Sequence, residues 1–471
     1  AISCMATTVA RVGSLLAGQL QQIFQVLLER LRNEITRLAA VKAFCTIASS
    51  PNNLDLSSVL SLVTTELTGF LRKANRSLRQ ASMEALIALI KSQGNRITQD
   101  GLGALTEETA ALVSDADLHL AAMALKLCCT LLSSQPASTP TVVSKVLNQA
   151  LNLVKSPLLQ GVALEGLQEF FAALVRSGAP GTSCDELQSL LLDMGAADNI
   201  SKTAQSSVAQ CVAVLCLTAG PQQVTSTVNA LLVSLQAPGD ASRQRVSLLI
   251  LGEVGRKTDL SSFSNLQPAI NVALSSQLDE IKGAASMSLG GITVGSLQTY
   301  LPFLLDQIST QQAAPKQQYL LLKALNEVIS SITKSSDAGG VVLGQLEQQR
   351  ILELLLANCE SEEECRNVVA ECAGQLALLN PAFVLPKLQE LIPSQSPSMR
   401  WLVVTAVRYA VVERPTEADG FLIKCLPAFL EKISDSDRHV RKAAVLTLSN
   451  VAHNKPGLIM AKLPDMLPAL Y

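Results

Sequence analysis

One arrangement of apolar and polar positions recurs along this chain. In SDSDRHVRKAAVLTLSN, residues 434–450, the acids Asp435 and Asp437 precede Val440-Arg441-Lys442, a small pair follows at Ala443-Ala444, and Leu446 and Leu448 restore bulk. Aligned on Val440, the motif is an apolar residue, often a basic one after it, a small or aliphatic pair three and four positions on, and another apolar residue at the eighth. Leu78-Arg79 with Ala81 and Leu86 fits, as do Leu120 with Met123-Ala124 and Cys128, and Leu159 with Val162-Ala163 and Leu167. So do Ile281-Lys282 with Ala284-Ala285 and Leu289, Cys365-Arg366 with Val368-Val369, and Met399-Arg400 with Leu402-Val403 and Val407. Weaker copies centre near Arg37, Ala204, Arg243 and Gln318. The three- and four-residue steps are those of amphipathic helices.

A second kind of helix lies between these copies. LQQIFQVLLERL, VLSLVTTELTGFLR, TVNALLVSLQ, LQTYLPFLLDQI, FVLPKLQELI and LPAFLEKI each place apolar residues at helical spacing. Pro302, Pro386 and Pro427 are expected at the starts or early turns of such helices, where a missing N–H costs little. The mean step from Leu78 to Val440 is about 40 residues, the period of helical hairpins of the HEAT or armadillo kind. The expected fold is therefore an all-α solenoid, a single continuous array over residues 1–471 of about eleven hairpins, each too small to bury its faces alone. The second helix of each pair is packed by its own partner and by both neighbours, so Ala443 and Ala444 let backbones approach closely. Asp435 or Asp437 is expected to cap its helix, and Arg441 to pair with acids of the adjacent turn.

At the N-terminal end, AISCMATTVARVGSLL reads as a helix with Ile2, Met5, Val9, Val12 and Leu15 or Leu16 on one face and no partner before it. At the other end, GLIMAKLPDMLPALY starts a helix with no mate after it. The expectation is an internal portion of a longer array.

Composition narrows the picture. Hydrophobic residues are 48% of the 471 but aromatics only 3%, which suits many short packed helices better than one aromatic-filled core. With 37 basic and 39 acidic residues there is no electrostatic case for nucleic acid. Taken by hundreds, the charge runs +5, −6, +1, −4 and, over the last 71 residues, +2, a pattern suited to a protein partner with patches of both signs. The cysteines, 11 in all, mostly lie inside apolar helical runs, where cysteine acts as a small hydrophobe, and the odd count fits a reducing cytoplasm or nucleus. Every Leu-rich run is broken by polar residues within about 18 positions, so no membrane span is expected.

Chemistry is hard to find. His119 and His439 occupy equivalent repeat positions, which marks them as parts of the repeat rather than ligands, and His453 stands apart from both. Cys359, Cys365 and Cys372 have neither the short spacing of a zinc site nor a neighbouring histidine base. LGEVGRKTD (251–259) and LGGITVGSL (289–297) lack the strand and the Gly-Lys-Ser/Thr of a phosphate loop and read as second-helix ends, where glycine stops helices and allows tight packing. SEEEC (361–365) reads as a solvated turn with favourable charge at a helix N-terminus. No catalysis, metal or cofactor is expected.

Particular segments carry a more specific likeness. LLERLRNEITRLAAVKAF (27–44), LILGEVGRKTDLS (249–261), LPFLLDQISTQ (301–311), QQYLLLKALNEVISS (317–331), RNVVAECAGQLALLNP (366–381) and VRKAAVLTLSNVAHNKP (440–456) closely resemble, in order, the middle of the cullin-associated, neddylation-dissociated proteins. The resemblance implies a non-enzymatic exchange factor that wraps an unmodified cullin–RING heterodimer and promotes exchange of substrate-receptor modules in cullin–RING ubiquitin ligases. In that family one end of the solenoid covers the cullin lysine that accepts the ubiquitin-like modifier, and the other carries a β-hairpin that competes with the adaptor. This chain has no hairpin pattern of alternating strands, so the resemblance implies only the central arch. A monomer in the cytoplasm or nucleus, binding neither nucleic acid nor membrane, is expected. Candidate partner contacts at or near second-helix starts are Arg76, Arg79, Arg243, Arg245, Lys282, Arg400 and Trp401. Competing readings are an importin-type transport receptor, told apart by binding to its small GTPase, and a phosphatase scaffold, which would show a shorter and more regular repeat.

Overall fold

The computed structural model describes residues 1–197, 199–237, 240–310, 314–336 and 343–460. Among these the chain is all-α, with twenty-three α-helices joined by turns and short 3-10 segments, and no strand. Two compact units divide it, residues 1–250 and 251–471, the division falling within one helix. No single helix among the described residues is long and apolar enough to cross a membrane.

The first unit contains α1 (Ile2–Val12), α2 (Leu20–Arg32), α3 (Arg37–Ala48), α4 (Leu60–Phe70), α5 (Arg76–Gln93), α6 (Gln99–Ala110) and α7 (Leu118–Ser134). It continues with α8 (Thr139–Val154), α9 (Val162–Ser177), α10 (Cys184–Gly195), α11 (Lys202–Ala219), α12 (Pro221–Gln236) and the start of α13 (Ala241–Lys257). Hairpins form between α2 and α3, α4 and α5, α6 and α7, α8 and α9, and α10 and α11. The second helices make one layer, α1 on α3, then α5, α7, α9 and α11, while α2, α4, α6 and α8 make the other. Polar N-caps fix where second helices begin. Asn75 accepts from the Leu78 amide at 2.9 Å, Asp117 from His119 and Leu120 at 3.1 Å, and Ser201 from Ala204 at 3.1 Å, each offsetting an orphan donor of a first turn.

The second unit repeats the plan with α14 (Leu266–Leu274), α15 (Asp279–Gly295), α16 (Leu297–Thr310), α17 (Pro315–Ser336), α18 (Gln345–Ala357) and α19 (Glu363–Leu379). It ends with α20 (Pro381–Glu390), α21 (Pro397–Ala410), α22 (Ala418–Leu430) and α23 (Arg438–Asn454). Here α15, α17, α19, α21 and α23 stack successively. Ala443 and Ala444 are buried as expected, and Thr447, one turn on, donates to the Val404 carbonyl of α21 at 3.2 Å.

The closest approach is between α13 and α15, where four glycines face each other. A Cβ on Gly252 would stand 2.8 Å from the Ser288 Cα, and one on Gly255 2.8 Å from the Ile292 Cα. On Gly291 or Gly295 it would run into the carbonyl oxygens of Gly252 and Gly255. The expected tight packing is there; Gly252, Gly255 and Gly291 lie inside their helices, whereas Gly295 is the last residue of α15.

Several other local expectations are corrected. Pro302, Pro386 and Pro427 stand inside α16, α20 and α22 rather than at their beginnings. In α22 the buried face runs from Ala418 through Leu422 and Leu426 to Phe429, and continuous burial outweighs one missing hydrogen bond. Asp437 caps α23, accepting from His439 and Val440 at 2.8 and 3.1 Å. Arg441 donates to the carbonyls of Asp435 and Ser436, at 2.9 and 3.0 Å, instead of to an acid. At the N-terminal end α1 buries Ala6 and Val9, but a 3-10 turn at Gly13–Leu16 breaks the period and leaves Leu15 83% exposed. The helix expected from Gly457 onward falls largely on residues 461–471, outside the described residues.

Candidate interaction surface

The contact candidates lie at or near second-helix starts, and several basic residues there are engaged within the array. Arg400 of α21 is a correction. Its Nε and Nη2 each donate to Asp435 at 2.9 Å and its Nη1 donates to the Ser394 and Gln395 carbonyls at 2.8 and 3.1 Å, with the side chain 10% exposed. The bidentate guanidinium holds the Asp435 carboxyl below the usual carboxylate range, against the opposing effect of burial. Arg37 lies 5.0 Å from the Phe70 ring centroid and donates to the Arg32 carbonyl at 3.3 Å. Arg366 stacks on Trp401 at 5.5 Å and donates to Ser398 at 3.3 Å. Trp401 is thus half-buried beneath an arginine of the preceding second helix. Arg79 is half-buried, its Nε enclosed without an acceptor.

Of the remaining candidates, Arg76 and Arg243 are exposed and Arg245 and Lys282 half-buried. Arg76 donates through Nε and Nη2 to the α7 cap Asp117, at 2.6 and 3.1 Å, and lowers the Asp117 pKa. Arg243 faces Asp193 at 3.8 Å with about half of its side chain open, and Arg245 is half-buried. Lys282 edges a groove of about 730 Å³ at the starts of α15, α17 and α19, with Lys316, Tyr319, Leu320, Glu362 and Glu364 among its lining. Both of its lysines lie 3.7 Å from Asp279, and with Glu362 and Glu364 the lining holds three acids against two lysines. Arg256 bridges Glu327 and Glu253 on the same unit, and burial pushes the Glu253 pKa up.

In the first unit the two layers are electrically unlike. Second helices α3, α5 and α7 carry six cations and one acid, Glu84. First helices α2, α4 and α6 carry five acids and two arginines. Three of the five first-helix acids are paired: Glu66 with Arg32 at 3.0 Å, Glu108 with Arg72, and Glu107 with Lys145 at 3.0 Å. In contrast Lys42, Lys91 and Lys126 on the second-helix layer are exposed and form no ion pair with any described residue. Sequence reading missed these three because the motif directs attention to the helix start, whereas they lie further along, Lys91 in the last turn of α5.

Nothing among the described residues resembles a catalytic centre. No group of three or more His, Cys, Asp and Glu is placed to hold a metal. The cysteines are all free, and burial pushes Cys129 up to about 12 and Cys128 and Cys372 higher still, which disfavours the thiolate form at these three. His119 and His439 follow the caps Asp117 and Asp437 and donate their backbone amides to them, as their shared repeat position implied.

No family model matches the chain. Among curated proteins it is 46% identical, over its whole length, to cullin-associated NEDD8-dissociated protein 1 of Arabidopsis thaliana, covering 39% of that relative. Against the Drosophila melanogaster protein of the same name it is 37% identical, again over the whole chain and 39% of the relative. A third, named as the C-terminal part of that protein in Emericella nidulans, is 30% identical over 94% of the chain and 41% of its own length. Among solved structures, Kap95p bound to RanGDP superposes with a TM-score of 0.53 at 13% identity, over all of this chain and 61% of that one. A Kap95–Nup1 complex does so at 0.50 and 11%, with the same coverage. These two establish the helical-repeat fold and nothing of cargo. The chain spans less than half of the curated relatives it matches and is homologous, from end to end, to a stretch of the cullin-associated NEDD8-dissociated family.

Proposed function

We propose that the chain is part of a non-catalytic scaffold that binds unmodified cullin–RING heterodimers and promotes exchange of their substrate-receptor modules, acting in the cytoplasm or nucleus. One observation carries the reading: the 46% identity, across the whole chain, to a relative named for its association with cullins. A stack of helical hairpins supports it physically. Such an array spreads recognition over many modest contacts, which gives binding that is tight yet displaceable when a competitor shares part of the site. Arg76, Arg243 and Lys282 keep enough exposure to take part.

The test is size-exclusion chromatography of the full-length protein with a cullin–RING heterodimer, unmodified and modifier-conjugated. Co-elution with the unmodified form alone is the expected result. Failure with every cullin tried would sink the proposal, and capture of a GTP-loaded small GTPase instead would install the transport-receptor reading.

A further inference from the structure

We propose that the second-helix face of α3, α5 and α7 docks an acidic protein surface, anchored at the groove between α5, α7 and α9. This goes beyond the scaffold reading, which leaves both the contact face and the partner's chemistry open. The groove has a volume of about 490 Å³ and is lined by Lys91, Lys126, Thr130, Pro136, Glu169 and Arg176. Glu169 and Arg176 neutralise each other at 3.0 Å, so Lys91 and Lys126 supply its net charge. Lys42 extends the positive field onto α3.

Three observations point to an acidic protein. Glu66, Glu107 and Glu108 of the opposite layer are paired there with Arg32, Arg72 and Lys145, while α3, α5 and α7 set six cations against the single acid Glu84, so the net charge of these three helices is positive. None of α3, α5 and α7 exposes a large apolar side chain, so attraction here is electrostatic and acts mainly on encounter rate and register. A nucleic acid fits less well. The one aromatic of the three helices, Phe44, is fully buried, leaving nothing for bases to stack on, and the exposed Glu84 sits in the same layer.

The experiment follows fluorescence anisotropy of a fluorescein-labelled decaglutamate peptide titrated with the full chain at low ionic strength. It compares the wild type with Lys91→Glu/Lys126→Glu and with Lys282→Glu/Lys316→Glu, and repeats the titrations with labelled oligothymidylate. Saturable, salt-sensitive peptide binding is expected, weakened at least about tenfold by the first pair and little by the second. Equal binding to all three proteins overturns the proposal, as does oligothymidylate that binds more tightly than the peptide with the same dependence on Lys91 and Lys126. Circular dichroism of each variant separates lost binding from lost fold. Because the peptide readout needs no cullin, failure of the cullin experiment leaves it intact.

Discussion

The second-helix layers of the two units are built on one motif and use their charge in opposite ways. In the first unit α3, α5 and α7 set six cations against one acid, and the exposed lysines among them form no ion pair with any described residue. In the second, α15, α17 and α19 set five cations against six acids. There Lys282 and Lys316 crowd Asp279 and Arg366 covers Trp401, while on the next second helix Arg400 is bound to Asp435. In the second unit Lys316, Arg366 and Arg400 join neighbouring repeats; in the first, Arg37 and Arg76 do so, while Lys42, Lys91 and Lys126 form no ion pair with a described residue. Repeat position alone does not tell a structural cation from an available one, since that depends on whether a neighbouring hairpin offers a carboxylate.

The contrast can be broken most forcefully at its best-bound cation. Arg400→Ala leaves buried Asp435 with only Lys432, at 3.6 Å, as a cation and is expected to cost about 3 kcal/mol in urea unfolding at neutral pH; a loss under about 1 kcal/mol would place Arg400 among the dispensable surface charges. The pH dependence sharpens this. Arg400 holds the folded Asp435 pKa below its unfolded value, so the pair stabilises the fold above about pH 4 and loses that contribution as pH falls through the folded pKa. The stability gap between wild type and Arg400→Ala should therefore narrow in acid, and a gap constant from pH 7 to pH 3 would contradict the assignment. Removing Trp401 is a smaller change: Trp401→Leu keeps the apolar contact but loses the cation–π partner of Arg366, worth about 0.5–1 kcal/mol. At the other end of the scale, Lys91→Glu/Lys126→Glu should shift stability by no more than about 0.5 kcal/mol. The same pair should slow cullin association at low salt by about tenfold, converging with wild type at high salt. Stopped-flow association rates across a salt series decide that last point.

Much of the fold was legible because the hairpin repeat is local. The weaker copies at Arg37, Ala204, Arg243 and Gln318 lie on α3, α11, α13 and α17, found by spacing that needs no knowledge of neighbours. Surface assignment was poorer for a physical reason. Arg400 was chosen for its place near a helix start, but its fate is set by Asp435, thirty-five positions away on another hairpin. The prolines misled in a related manner: a local cost suggested helix beginnings, while burial along Ala418, Leu422, Leu426 and Phe429 kept α22 continuous through Pro427.

The glycines of α15 also bear on how substitutions in this family of folds are interpreted. In a solvent-facing helix, replacing glycine by alanine stabilises by about 1 kcal/mol because it removes backbone freedom from the unfolded chain. Gly283 has open space where a methyl group would go, so there the usual gain should hold. Two turns along the same helix, a methyl on Gly291 would strike the Gly252 carbonyl, and the identical exchange becomes a penalty. A single helix thus carries both signs of the commonest stabilising substitution, and a residue scale averaged over α15 would report neither.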